Sequence, residues 1–259
     1  MLARLYHAHH NLHPEDLPFW LQLAGQHSGQ ILELGCGTGR VYLPLLQAGS
    51  QVLGIDRDAD MLAVLRKGAE PSFEERLALV QADFTCFRLA RRFELILMPC
   101  NTFSTLSAPE RRATLAIILT HLAPAGCFAF QIPSPELLHQ LPASSRPEIE
   151  ETFPHPDDGE PVQASSSWRR SRTTFNLRWD YDHLLPDGQV ERHSAQVTHY
   201  LTSVEACQEE LRQAGFQTFQ FFGDFDRGKF TSESTELIVL AYAPSALSSA
   251  AARQSGQSP

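Results

Sequence analysis

The run Ile31-Leu32-Glu33-Leu34-Gly35-Cys36-Gly37-Thr38-Gly39-Arg40 joins an apolar stretch, one carboxylate and three glycines at alternate positions. It reads as a strand that ends in a loop and opens a helix. Glycines there let the backbone turn sharply and let a ligand reach the main chain with no Cβ in the way. The helix that follows offers unpaired N–H groups to an anionic or polar part of that ligand. Asp56 ends the next apolar run, Gln51–Ile55, where an acid can accept hydrogen bonds from ribose hydroxyls. Two ligand classes share this layout. A nicotinamide fingerprint, Gly-x-Gly-x-x-Gly, needs a third glycine at position 40, which holds Arg40. The carboxylate of Glu33 would do nothing for a pyrophosphate but would attract a ligand that carries an ammonium group.

These residues resemble the first motif of the class I S-adenosylmethionine-dependent methyltransferases, Glu/Asp-x-Gly-x-Gly-x-Gly, and the likeness runs from about Tyr6 to Ala243. The resemblance implies that Glu33, Gly35, Cys36, Gly37 and Gly39 hold the methionine and ribose portions of the cofactor, Cys36 mainly through its backbone. It further implies that Asp56 binds the ribose hydroxyls, with Arg57 and Met61 flanking the adenine. Asp83, between Ala82 and Phe84, matches the position that binds the adenine amino group, and Pro99 and Cys100 match the segment under the sulfonium. Asp16-Leu17-Pro18-Phe19-Trp20 resembles the Asp-Ile-Pro-Phe-Tyr entry segment of bacterial small-molecule methyltransferases, including those acting on amino groups of sugars and amines. Tyr6 resembles the tyrosine of their Tyr-Asp pair, where this chain has His7. Gly223-Asp224-Phe225-Asp226 and Leu237-Ile238-Val239 resemble their closing hairpin. The expected activity is in-line methyl transfer to an amine or hydroxyl of a small molecule. The rival readings are an RNA methyltransferase, a non-catalytic S-adenosylmethionine-binding module and, against Arg40, a nicotinamide oxidoreductase.

Other residues carry open alternatives. Asn101 can orient an acceptor or cap the turn Asn101-Thr102-Phe103-Ser104. Asp224 and Asp226 can attract a cationic amine or close a turn before Gly228; the turn is favoured. Tyr6, Phe19 and Trp20 can cover a sulfonium with their faces or simply anchor the first helices. Trp168, Trp179 and Tyr181 can line an acceptor pocket or pack between sheets. His7, His9, His10 and His13 lack the spacing and further ligand of a recognisable metal site, so they are read as solvated and no metal is expected.

The elements that must position these groups follow from patterning. Strand-like runs at Ile31–Leu34, Gln51–Ile55, Leu77–Val80, Leu95–Met98 and Phe128–Ile132 alternate with helical spacing at Val41–Gln47, Asp60–Arg66 and Arg111–Leu122. Near-continuous apolar strands in such alternation indicate a doubly wound, mostly parallel, Rossmann-like α/β sheet with helices on both faces. Phe216–Phe222 and Leu237–Tyr242 bring the count to seven strands. One domain is expected over 1–245, with a helical cap at 1–28, a cofactor half at 30–133, an acceptor-side loop and antiparallel β insert at 141–200, and a closing helix and hairpin at 203–243. Residues 141–167, with five prolines and six acids, are expected to form a loop or lid. Trp168–Arg178 and Gln189–Tyr200 then read as antiparallel strands around Leu185-Pro186-Asp187-Gly188, and 246–259 as a disordered tail.

Composition bounds the partners. The 259 residues carry 30 acids against 21 bases, a formal net charge of −9. A nucleic-acid grip calls for a basic face, so the expected acceptor is a small molecule rather than RNA or DNA. The one dense basic run, Arg169, Arg170 and Arg172, reads as a solvated strand face. Five scattered cysteines without a Cys-x-x-Cys pair indicate neither a disulfide framework nor a zinc ribbon. With no membrane span or apolar signal core in the sequence, the expected location is the cytoplasm.

Overall fold

The computed structural model describes residues 1–245; the expected tail at 246–259 lies outside them. Two helices, α1 (Leu2–His10) and α2 (Leu17–Ala24), precede an alternation of β1 (Ile31–Leu34), α3 (Tyr42–Gln47), β2 (Val52–Asp56), α4 (Ala59–Gly68) and β3 (Ala78–Gln81). It continues with β4 (Phe93–Met98), α5 (Ala108–His121), β5 (Leu122–Pro133) and α6 (Pro135–Gln140). Four strands follow, β6 (Glu148–Pro154), β7 (Pro161–Arg170), β8 (Thr174–Leu184) and β9 (Val190–Tyr200), then α7 (Val204–Ala214), β10 (Thr218–Phe222) and β11 (Glu236–Tyr242).

Seven strands form one sheet in the order β10-β11-β5-β4-β1-β2-β3. β1 to β5 are parallel, while β11 runs antiparallel to β5 and to β10. Side chains alternate between the two faces of a strand, and each face builds its own core. Leu32, Leu34, Ile96, Met98, Phe128, Phe130 and Val239 pack on one side with Leu115, Ile118 and Leu211 from α5 and α7. Ile31, Leu95, Leu97, Ala129, Ile238 and Leu240 pack on the other with Trp20, Leu45 and Leu65 from α2, α3 and α4. Burial on both faces explains why these strands read as unbroken apolar runs, and why a parallel doubly wound sheet was the expected fold.

The second sheet corrects two expectations. It is antiparallel, in the order β6-β7-β8-β9, and it takes in most of 141–167, which had been expected to be a loop. Its prolines sit where the ladder ends: Pro154 pairs with Pro161 at the mouth of the β6–β7 hairpin, Pro156 lies in its loop, and Pro142 and Pro147 precede β6. β6 is an edge strand, which tolerates such punctuation. Trp168–Arg178 is likewise not one strand. It spans the end of β7, a tight turn in which Ser171 Oγ accepts the Thr174 N–H (2.9 Å), and the start of β8. The expected turn before β9 is present, with Gly188 at φ +85°.

Candidate active site

The C-terminal ends of β1, β2, β4 and β5 carry the groups the sequence singled out. Gly35, Gly37 and Gly39 all have positive φ. At Gly39 an added Cβ would lie 2.7 Å from Leu65 and 3.1 Å from Leu43, so α3 and α4 close on the backbone there. At Gly37 the nearest atoms would be 4.0 Å away, which leaves the centre of the loop open toward Asp56. Asp56 is held ready: Oδ2 accepts the Gly37 N–H at 2.8 Å and Oδ1 accepts the Asp58 N–H at 2.9 Å. Cys36 turns its thiol inward. A Cβ on Gly54 of β2 would meet its Sγ at 2.8 Å, so this side chain packs as well as offering backbone.

Glu33 projects from β1 and is 2% exposed, and its Oε2 has no hydrogen-bond partner. Burial, reinforced by the nearby Asp56 charge and opposed by Arg40, pushes its carboxyl up to about 8. A buried acid without a partner is costly as an anion and favours the protonated form. A cation delivered beside it would reverse that. Glu33 and the open arc at Gly37 therefore fit a ligand bearing an ammonium group next to a ribose.

The β4–α5 connection supplies a strained rim. Cys100 (φ +55°) and Asn101 (φ +60°) are consecutive non-glycine residues in the left-handed region, a conformation that surrounding structure must hold. Pro99 is buried beneath them and accepts the Thr102 hydroxyl at 2.9 Å. Asn101 does not cap the following turn through its side chain, and its Oδ1 is buried without a partner. The Cys100 N–H donates to Gln131 Oε1 (3.3 Å), and Gln131 Nε2 donates to Glu236 Oε2 (3.4 Å). Glu236 is pushed up to about 8, by burial first, with Gln131 opposing and Asp16 adding. The Cys100 side chain is exposed on this rim.

Helix α1 lies across this region. His7 Nδ1 bonds Thr38 Oγ1 in the glycine loop (2.9 Å), and Tyr6, stacked on the His10 ring at 3.8 Å, sits within reach of the charges of Cys100, Arg40 and Asp56. Arg40 fastens the segment after α1: it donates to His10 O (3.0 Å), His13 O (2.9 Å) and both oxygens of the buried Asp16 (2.5 and 3.0 Å). A cavity of about 230 Å³ opens beside it, lined by His7, Asn11, Leu17, Gly39, Arg40 and Leu43. Trp20 is fully buried and donates to Asp16 Oδ2 at 2.9 Å, so it anchors α2.

The other expected residues are spread along the β2 and β3 ends. Met61 is half-buried and Arg57 exposed. Ala82 and Phe84 pack on the core, while Asp83 is exposed and its Oδ1 accepts the Thr85 N–H (2.8 Å) and hydroxyl (2.7 Å). Asp224 Oδ1 accepts the Gly228 N–H at 2.7 Å, the turn role that was favoured; Asp226 is exposed on the same turn.

Known proteins sharpen this picture. Residues 31–126 match the family described as a methyltransferase domain. This segment is a methyltransferase domain. A Geobacillus sp. (strain WCH70) protein bearing a methyltransferase name is 25% identical over 84% of this chain and 85% of its own. The CcbJ methyltransferase of Streptomyces caelestis has the same fold, with a TM-score of 0.75 at 20% identity over 90% of this chain and 98% of that one. CalS10, an amino pentose methyltransferase of Micromonospora echinaspora, superposes with a TM-score of 0.65 at 18% identity over 88% and 89% of the two chains. The chain thus shares the fold of these methyltransferases over about nine-tenths of its length, and its family match lies in residues 31–126.

Gln131–Pro133 was expected on the rim of this candidate site, but its partner Glu236 carried no sequence signal. Gln131 and Glu236 lie on strands far apart in the chain and meet only because β11 returns beside β5. Arg40 was noticed for not being glycine, yet it is the hub of the α1–α2 connection. Of the N-terminal histidines His13 is exposed, as expected, but His9 is buried and bonds the Tyr181 hydroxyl (3.2 Å), and burial drives His10 down to about 3. Trp179 and Tyr181 face α1 through these contacts.

Proposed function

We propose that the methyltransferase acts on an amine of a small molecule, with Glu33 and Asp56 holding the cofactor and Glu236 serving the acceptor. When bound, S-adenosylmethionine supplies a methyl group on a sulfonium, already a good leaving group. The chain's own task is then placement and exclusion of water, worth roughly 7–11 kcal/mol for a well-aligned pair. Glu33 would receive the ammonium of the cofactor and Asp56 the ribose hydroxyls. Asp83, Met61, Arg57, Ala82 and Phe84 would border the adenine, and Tyr6, Pro99 and Cys100 the sulfonium.

The observation that supports a base on the acceptor side is a second acid, the half-buried Glu236. An amine attacks only when neutral, and Glu236 sits at the acceptor rim, tied through Gln131 to the Cys100 backbone, with its carboxyl near 8. A base of that strength takes a proton from an ammonium near neutral pH and would also serve a hydroxyl as general base, so the choice of an amine follows the likeness to an amino pentose methyltransferase. Asn101, with a free buried Oδ1, would accept a hydrogen bond from the incoming N–H. The amino pentose substrate named for CalS10 supports the same class.

The test is a panel of amino sugars, short peptides and their hydroxyl analogues, assayed for cofactor-dependent gain of a methyl group by mass spectrometry. Amines should be methylated and the hydroxyl analogues spared; the reverse pattern overturns the proposal. Glu236→Gln should lower kcat roughly 10²-fold and remove the rise of activity with pH that ends near 8. An unchanged pH profile would leave Glu236 without this role.

A further inference from the structure

We propose that His155, Asp158 and His183 form a binding site for a divalent transition-metal ion such as Zn²⁺, in the second sheet and away from the methyl-transfer site. His155 follows β6, Asp158 lies in the β6–β7 loop, and His183 is on β8 beside Val162 of β7. One ligand atom from each lies within 4.8 Å of the others. His155 Nδ1 is 3.0 Å from Asp158 Oδ1, and His183 Nε2 is 3.2 Å from either Asp158 oxygen. Ligands about 2.0–2.1 Å from a tetrahedral zinc stand roughly 3.3 Å apart, so both His–Asp separations are already near what an ion requires. The two imidazoles are stacked at 3.9 Å with planes 9° apart. Binding would tilt them toward a shared centre.

Three further features favour an ion over a chance meeting of polar groups. Both histidines are buried while the Asp158 side chain is 45% exposed, which leaves an entry path and an open fourth position for water. Glu191, the cross-strand partner of His183 on β9, places Oε2 4.0 Å from His183 Nδ1. A carboxylate on that side favours the tautomer with a proton on Nδ1 and a lone pair on Nε2, as metal-bound histidines require. The loop is also pre-shaped: Gly159 donates its N–H to His155 O (3.0 Å), and Asp158 Oδ1 accepts the Glu160 N–H (3.0 Å). Two imidazoles and one carboxylate suit zinc and its neighbours better than calcium or magnesium. The same loop is fastened to α1, because Arg4 pairs with Asp157 and donates to Pro156 O at 3.2 Å. An ion here would stiffen the seat of the helix that crosses the glycine loop.

The proposal is tested by titrating Zn²⁺ into chelator-treated, full-length protein in competition with a chromophoric chelator, and by the visible absorption of bound Co²⁺. Expected are one equivalent per chain and the Co²⁺ spectrum of a low-coordinate nitrogen–oxygen site. Affinity should fall at least tenfold in Asp158→Asn, roughly tenfold in Glu191→Gln and about a hundredfold in His183→Asn. The Asp158 and Glu191 side chains are mostly at the surface, so these variants keep the binding test valid even where His183→Asn disturbs the sheet. Unchanged affinity in Asp158→Asn, absence of binding by the parent protein, or loss of binding on changing His7 and His13 instead would overturn it.

Discussion

Glu33 shows how one side chain can be readable in type and unreadable in state. An acid before three glycines announces a cation site, but its proton depends on burial that only the finished sheet provides. Its folded value near 8 stands above the ordinary 4.5. The stability linked to that difference is fully present below 4.5 and is lost as pH rises through 8. The cofactor-free protein should therefore melt at progressively lower temperature from pH 5 to 8, and Glu33→Gln should reduce that slope to the part that Glu236 contributes. Cofactor binding runs the other way, because an ammonium beside Glu33 favours the anion. Binding should release close to one proton near pH 7 and tighten by up to tenfold per pH unit toward 8. Calorimetry in buffers of different ionisation enthalpy measures that release. Equal proton release by Glu33→Gln would assign it to another group.

Among the elements, strands buried on both faces were legible because packing demands apolar residues at nearly every position, as in Ile31–Leu34 around Glu33 and in Leu95–Met98. The β6–β7 hairpin was not, because Pro154, Pro156 and Pro161 look like breakers until their places at the ladder's end are known. Helix α1 was harder still. Its histidines find partners in Thr38, Tyr181 and Trp179, all remote in sequence, so no local pattern separates them from a solvated cluster. The Arg40–Asp16 pair is the fastening of this element. Removing Arg40 leaves Asp16, 4% exposed, without its cation, and breaking a buried pair from one side is costly. Arg40→Met should destabilise the fold by about 3 kcal/mol in urea unfolding and weaken cofactor binding through α1. Adding Asp16→Asn should restore part of the stability, the non-additivity expected of partners. Simple additivity in that cycle would mean that the two side chains act independently.

Across the whole molecule, the excess of 30 acids over 21 bases sets a field that no single motif expresses. Among the described residues no helix is long and apolar enough to cross a membrane. A negative surface repels polyanions and draws in cations, and salt screens both effects over a Debye length of about 10 Å at 0.1 M. The proposed amine acceptor would arrive mostly as its ammonium form, be attracted, and surrender its proton at Glu236. Its kcat/KM should fall several-fold between roughly 0.02 and 0.5 M salt, with kcat little changed, since screening slows arrival and leaves the local geometry intact. An uncharged acceptor of similar size should show no such trend. The same titration discriminates against a nucleic-acid substrate, whose repulsion by the net charge would ease as salt rises; kcat/KM that climbs with ionic strength would contradict a cationic acceptor and reopen the anionic one.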